Sequence, residues 1–125
     1  MAKGFKNLIV WQKAYRFALE IYKETRGFPK FEFYALTQQM RKAAVSISAN
    51  IAEGYERYYR KEYIRFLTIA KGSLGEVETY LMLAKDLKYL NPKAYIELED
   101  SRQEVARLLR GLINSLSQVS NKGRV

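Results

Sequence analysis

Two stretches of the sequence have the composition of helix interiors but carry short polar side chains among small and apolar ones. They are RKAAVSISANIAEG at residues 41–54 and FLTIAKGSLGEVET at residues 66–79. Small side chains allow two helix backbones to approach closely, and short polar groups buried between them need hydrogen-bond partners. We therefore expect these helices to face each other across a polar network that fixes their register. The residues expected in this network are Ser46, Asn50, Glu53, Ser73 and Glu76.

The spacing of apolar residues along the chain predicts four helices and no strand. At 125 residues, the chain is long enough for one domain with a single core. Short connections between amphipathic helices favour antiparallel neighbours, so we predict an all-α, antiparallel up-down four-helix bundle. The domain is expected to cover residues 1–125, with helices at 8–26, 35–54, 60–90 and 92–118 and a disordered tail at 119–125.

Local signals mark several of these boundaries. Gly27 followed by Pro29 ends the first helix, and Gly54 ends the second. Asn91 and Pro92 are typical of the N-cap and the first residue of a helix. The link GFPKFEFYA is aromatic, so its phenylalanines are expected to pack against the bundle. These are Phe28, Phe31 and Phe33.

The absence of two residue types excludes several kinds of chemistry. The sequence contains no cysteine and no histidine. A disulfide framework, a thiolate nucleophile and a cysteine-ligated metal are therefore excluded, and general acid–base catalysis would lack its most common group. Di-iron sites in helical bundles use Glu-x-x-His elements, which this chain cannot supply. We predict a non-enzymatic protein with no metal and no cofactor.

No segment of the sequence indicates export or membrane insertion. Lys6, Asn7, Gln12 and Lys13 interrupt the apolar run near the N-terminus, which is not the pattern of a signal peptide. No uncharged apolar stretch approaches the roughly 18 residues needed to span a bilayer. We expect a soluble, cytoplasmic protein with no membrane partner.

The chain is basic, with 22 Lys and Arg against 13 Asp and Glu and a net charge of +9. Such an excess attracts a polyanion through counterion release. In YERYYRKEYIR at residues 55–65, cations that can hold phosphates alternate with tyrosines that can stack on bases. The alternative is a solvated helix start with its aromatic rings in the core. The candidate nucleic-acid-binding residues are Arg57, Tyr58, Tyr59, Arg60, Lys61 and Arg65.

The first helix has a wider apolar face than one bundle requires. One apolar stripe runs from Val10 to Ile21, and a second runs beside it from Trp11 to Tyr22. An apolar face with no partner inside the bundle is typical of a subunit interface. The alternative is a set of ordinary half-exposed aromatic residues. The candidate residues for an oligomer interface are Trp11, Tyr15 and Tyr22.

The order of three segments resembles a known protein family. NLIVWQKA at 7–14, YALTQQMRKAAVSISANIAEG at 34–54 and FLTIAKGSLGEVET at 66–79 resemble the four-helix-bundle proteins of the 23S ribosomal RNA intervening-sequence family, also called S23. The resemblance covers nearly the whole chain. Relatives of that family include the accessory variability proteins of diversity-generating retroelements.

The resemblance implies a small bacterial homopentamer that forms a barrel with a central channel and a basic surface. In the retroelement relatives, the pentamer binds a reverse transcriptase and its RNA. Two positions depart from the family pattern. Ser48 stands where the family often has proline, and Tyr59 stands where it has a small polar residue. These departures predict a straighter second helix and a less defined start of the third helix.

Two functional hypotheses follow from these features. The first is a non-enzymatic, ring-like homo-oligomer that binds nucleic acid, with structured RNA preferred over DNA. The second is a protein adaptor, or accessory subunit, whose aromatic faces bind a partner enzyme such as a reverse transcriptase. A reverse-transcriptase gene beside this one would favour the adaptor, whereas a location inside a ribosomal RNA gene would favour the intervening-sequence role.

Overall fold

The structure is a computed structural model that describes residues 4–122. It contains four long helices, and no strand occurs within this range. Shorter helical turns occupy Gly4–Asn7, Lys30–Glu32 and Phe33–Thr37. The long helices are α1 (Ile9–Thr25), α2 (Gln38–Tyr55), α3 (Arg60–Asp86) and α4 (Pro92–Lys122).

Each helix packs against the next one in the chain, and α4 returns to contact α1. The most extensive contact joins α2 and α3, the two helices that the sequence predicted to face each other. Their register is antiparallel, because Gly54 lies against Phe66 while Ser46 lies against Ser73. The all-helical class and the four helices are therefore as predicted.

The core fills the space between the four helices with large aliphatic and aromatic side chains. Each of these side chains contributes about 1.5–3 kcal/mol when it is removed from water, so the amphipathic faces hold the bundle together. The largest fully buried side chains are Phe17, Ile21, Met40, Ile47, Ile51, Leu67, Val77, Leu81, Leu98, Val105 and Leu109.

The sequence predicts the start of α4 correctly but places the start of α2 too early. Asn91 caps α4 as expected, since its Oδ1 accepts a hydrogen bond from the amide of Ala94 at 2.7 Å. The helix predicted from residue 35 begins only at Gln38 as a regular α-helix. A π-helical turn precedes it, and Ala35 within that turn has non-helical angles of φ −123° and ψ −106°.

Two predicted helix ends need correction. The third helix ends at Asp86 rather than at residue 90, because Lys88 adopts a left-handed conformation with φ 66°. The amide of Tyr89 then bonds to the carbonyl of Ala84 at 2.9 Å, which is the closing bond of a Schellman motif. The fourth helix continues to Lys122, so the tail predicted to be disordered from residue 119 is helical to that point. The remainder of that prediction lies outside the described residues.

The link between α1 and α2 differs from its predicted packing. Phe28 is buried and lies against the ring of Tyr89, with their centroids 5.4 Å apart. Phe31 and Phe33 are instead 78% and 51% exposed. Glu32 accepts a hydrogen bond from the Tyr89 hydroxyl at 2.8 Å, which fixes one side of the link to the bundle. Its neighbours on both sides are turned to solvent.

None of the described helices is long and apolar enough to cross a membrane.

Candidate nucleic-acid interface

The turn between α2 and α3 is set by a close helix crossing at Gly54. A Cβ atom at this position would lie 2.8 Å from Cβ of Phe66 and 3.1 Å from Cδ1 of Tyr63, so only glycine allows the observed approach. The four residues from Glu56 to Tyr59 then connect the helices outside the core. Tyr59 precedes α3 without a side-chain capping bond. This connection and the first turns of α3, residues 55–65 together, carry the candidate site and are called the α2–α3 turn below.

Two tyrosine rings of the turn point into solvent. Tyr58 is 91% exposed and Tyr59 is 67% exposed. Their rings contact each other edge to face, with centroids 4.9 Å apart. Rings exposed in this way offer flat faces to a ligand. Their exposure excludes the alternative, stated above, that these two rings pack in the core.

Of the other two tyrosines of the segment, Tyr63 packs in the bundle and Tyr55 is 38% exposed beside it. The rings of Tyr55 and Tyr63 meet edge to face with centroids 6.0 Å apart, and Tyr63 packs against the core. The Tyr63 hydroxyl is buried and has no hydrogen-bond partner. Burial, with a smaller contribution from the nearby Tyr55, raises the pKa of Tyr63 to about 12. The segment therefore has two solvent-facing rings, Tyr58 and Tyr59, one core-packed ring, Tyr63, and one ring at the edge of the core, Tyr55.

The four candidate cations also divide into two pairs. Arg57 bonds to Glu53 at 2.8 Å, Arg65 bonds to Glu62 at 3.2 Å, and both guanidinium groups lie over the Phe66 ring. The hydrogen bond from Arg65 lowers the pKa of Glu62. Arg60 and Lys61 are exposed and form no ion pair among the described side chains, although Lys61 makes a minor contribution to the lowered pKa of Glu62. The two cations without an ion-pair partner are therefore the ones that directly follow the exposed rings in the sequence.

The polar network between α2 and α3 is smaller than predicted. The hydroxyls of Ser46 and Ser73 are 2.8 Å apart, and the Asn50 amide donates to Ser46 O at 2.8 Å and to Ser46 Oγ at 2.9 Å. Glu53 and Glu76 do not join this network. Glu53 pairs with Arg57 instead, and Glu76 lies exposed at the edge of a shallow pocket that Ser46 also lines.

The candidate oligomer residues lie on one flank of α1. Trp11 stacks on Tyr15 with centroids 5.1 Å apart and also contacts Phe5 edge to face. Tyr15 and Tyr22 are about half exposed at 48% and 40%. The sequence analysis missed Leu19, which is 55% exposed between them, although its spacing of four and three residues from the two tyrosines places it on the same face.

An ionic cluster around the buried Arg102 joins α3 and α4, and the sequence pattern did not indicate it. Arg102 is 8% exposed and bonds to Glu99 at 2.7 Å and to Glu78 at 3.1 Å. The hydrogen bond from Arg102 lowers the pKa of Glu99. Among the described residues, no group of three or more acidic side chains is arranged to hold a metal ion. These carboxylates serve as partners of arginine.

Comparison with known proteins places these features in a wider group. The family model described as 23S rRNA-intervening sequence protein matches residues 6–111. A crystal structure from Bacteroides thetaiotaomicron VPI-5482 is described as a protein with unknown function from the S23 ribosomal protein family. It superposes with a TM-score of 0.79 at 25% identity and covers 85% of this chain and 96% of that chain. A search of curated proteins found no match.

Proposed function

The chain belongs to the 23S rRNA-intervening sequence protein family, and from this premise we propose that it is a non-enzymatic, oligomeric bundle that binds nucleic acid. Structured RNA is the preferred ligand, contacted through its single-stranded or looped segments. The observation that carries the proposal is the pair of exposed rings, Tyr58 and Tyr59, directly before the unneutralised cations Arg60 and Lys61.

Binding at the turn combines two kinds of contact. Arg60 and Lys61 neutralise phosphates and release counterions. Tyr58 and Tyr59 present their rings to unstacked bases. Because every base has an aromatic face and every nucleotide a phosphate, neither contact depends on base identity. Recognition therefore follows backbone and shape more than sequence.

Assembly of several chains would strengthen the attraction. The exposed side chains of Tyr15, Leu19 and Tyr22 support a homo-oligomer built through α1, and the family resemblance implies a pentamer. Five chains at +9 each would carry +45 on one particle. A field of this size draws in a polyanion even though the charge of one chain is spread along its length.

Light scattering tests the assembly. We expect a mass of about five times the 14.6 kDa of one chain. Trp11→Ala and Tyr22→Ala should weaken assembly, whereas Phe31→Ala, which removes an exposed ring that lines no groove with Tyr22, should not. A monomeric mass at micromolar concentration would refute the oligomer.

Binding of the purified protein to single-stranded RNA, looped RNA and duplex DNA across a salt series tests the ligand. Affinity should be highest for RNA with unpaired bases. It should fall with salt by a log–log slope of about 0.7–0.9 per phosphate neutralised. An absence of binding at low salt would reject the proposal.

The adaptor is the second candidate function, and the exposed apolar side chains of α1 are the observation that favours it. In that role, a partner enzyme such as a reverse transcriptase would cover Tyr15, Leu19 and Tyr22. Copurification of a stoichiometric protein partner that is lost in Leu19→Glu, together with no RNA binding, would support the adaptor over the RNA-binding bundle.

A further inference from the structure

A second group of exposed rings and cations lies at the other end of α2, where the link from α1 enters that helix. Two adjoining open grooves of about 480 Å³ and about 520 Å³ are formed there. Phe33, Tyr34, Thr37 and Arg41 line both of them. These residues lie far along the sequence from the candidate turn at residues 55–65, and no residue of that turn contributes to the grooves.

The lining of both grooves is cationic and contains no carboxylate. Arg41 is joined by Lys42 in the first groove and by Arg26 and Lys30 in the second. None of these four cations has a carboxylate partner among the described side chains. The acidic residue of the link, Glu32, is engaged elsewhere by the amide of Leu36 and the hydroxyl of Tyr89. The charge of the grooves therefore favours an anionic ligand.

Arg41 is held in place without being neutralised. Its Nε donates to Thr25 Oγ1 at 2.9 Å and its Nη2 donates to the carbonyl of Tyr22 at 3.4 Å. The guanidinium group also lies 4.6 Å from the centroid of the Tyr22 ring. These neutral partners fix the position of the cation and leave its charge and further N–H donors for a ligand.

The rings beside this arginine resemble the pair in the α2–α3 turn. Phe33 is 51% exposed and Tyr34 is 84% exposed, and they meet edge to face with centroids 4.8 Å apart. The same combination of an exposed aromatic pair and unneutralised cations thus occurs at both ends of α2. Aromatic rings that alternate with cations are the usual platform for single-stranded nucleic acid.

We propose that the first groove, which is lined by Phe33, Tyr34, Arg41 and Lys42, is a second site for single-stranded RNA on each chain. A base stacks on the exposed ring of Tyr34, to which the Phe33 ring stands perpendicular, and the adjacent phosphate lies at Arg41 and Lys42. The inference rests on the proposed function for its ligand class but uses different residues. An acidic peptide also suits a cationic groove, but two adjacent, exposed ring faces match stacked bases more closely.

Titration with a fluorescent tetrauridylate at low salt tests the second site. The wild-type protein should bind two molecules per chain. A turn variant, in which Arg57, Arg60, Lys61 and Arg65 are all replaced by Gln, should bind one. Adding Tyr34→Ala and Lys42→Gln to the turn variant should lower the remaining affinity at least about tenfold, since stacking of one base and one phosphate contact are both lost. Both added changes affect exposed side chains and leave the Arg41–Thr25 bond intact.

Lys71→Gln in the turn variant is the matched control, because it removes one exposed charge outside the groove. It should leave the remaining site unchanged. A turn variant that binds no tetrauridylate while the wild type binds one molecule would overturn the second site and leave the proposed function intact. A wild type that binds none would overturn both. Binding of an acidic, phenylalanine-containing peptide in place of tetrauridylate would assign the groove to a protein partner and also overturn the inference.

Discussion

The α2–α3 pair uses polar side chains in opposite ways in two regions. Midway along the helices, Ser46 bonds to Ser73 across the helix pair at 2.8 Å and accepts hydrogen bonds from Asn50 within α2 at 2.8 and 2.9 Å. At the turn, Tyr58 is 91% exposed and Arg60 has no carboxylate partner among the described residues. Both regions can be recognised in the sequence, because polar or charged residues there alternate with apolar or aromatic ones. What separates a structural role from a binding role is whether those groups are already satisfied within the chain.

The largest effect is expected from a substitution at the close crossing of α2 and α3, which lies between the two regions. Gly54→Ala places a methyl group 2.8 Å from Cβ of Phe66. Such overpacking should lower the free energy of unfolding by about 2–3 kcal/mol. Gly75→Ala is the control, since a Cβ there meets nothing within 4 Å. It should raise stability by about 0.5–1 kcal/mol. Equal effects in urea denaturation would contradict the close crossing.

The next effect tests the satisfied region. Asn50→Ala should lower the free energy of unfolding by roughly 1–3 kcal/mol, because its partners on Ser46 lose a donor. Glu76→Gln, at an exposed site outside the network, should change it by less than about 0.5 kcal/mol. Thermal unfolding of both variants measures the contrast. If Asn50→Ala is as stable as the wild type, the bonds that Asn50 makes to Ser46 within α2 do not contribute to stability.

A smaller effect tests the unsatisfied region. Tyr58→Ala should leave the melting temperature unchanged, because the ring is exposed. It should weaken binding of single-stranded RNA about fivefold or more, since stacking contributes about 1–3 kcal/mol per base. Anisotropy titrations and thermal melts on the same samples separate the two effects. A loss of stability without a loss of affinity would make Tyr58 a structural residue.

The smallest effect concerns Tyr63, whose buried hydroxyl lies in the first turns of α3. Its pKa is raised to about 12 in the folded chain, against about 10 when unfolded. The unfolded chain therefore loses this proton first, and stability should fall as the pH rises from about 10 to about 12. Tyr63→Phe should lose this part of the pH dependence. Removal of a hydroxyl with no partner should also raise stability at neutral pH by up to about 1 kcal/mol. An unchanged pH profile would contradict the burial of this hydroxyl.

The sequence was sufficient for the helical class and for the pairing of α2 with α3, because apolar spacing and small side chains determine both. It did not identify the partners of the longer side chains. Glu53 has the same helical spacing from Ser46 as a network member would have, yet Arg57 lies four residues further, in the turn after α2, and pairs with its carboxylate. The sequence pattern around a glutamate is the same whether its carboxylate pairs with a residue four positions away or with a residue on another helix.

The exposure of aromatic residues outside the helices was the hardest feature to predict. Phe31 and Phe33 were expected to pack, and whether Tyr58 and Tyr59 were buried was left open. Their directions depend on the backbone of two connections, the π-helical turn around Ala35 and the segment after Gly54. Hydrophobic periodicity carries no information about side-chain direction once the regular helix ends. For the same reason, the groove beside Arg41 could not be predicted from the sequence.

The central claim is that the α2–α3 turn holds the phosphates of RNA. Two charge-matched variants test it by the salt dependence of RNA affinity. The turn variant replaces Arg57, Arg60, Lys61 and Arg65 by Gln, and the control replaces Lys71, Lys93, Arg107 and Arg110 by Gln, so each loses four positive charges.

We expect the turn variant to reduce the log–log slope by at least about 1.5, the share of two phosphates held by Arg60 and Lys61. The control should keep a slope close to that of the wild type. The opposite result, an unchanged slope in the turn variant and a reduced slope in the control, would contradict the claim and move the site to Arg107 and Arg110 on α4. An unchanged slope in both variants would move it to the groove at Arg41 and Lys42, to Lys6 and Lys13, or to Lys3, which lies outside the described residues.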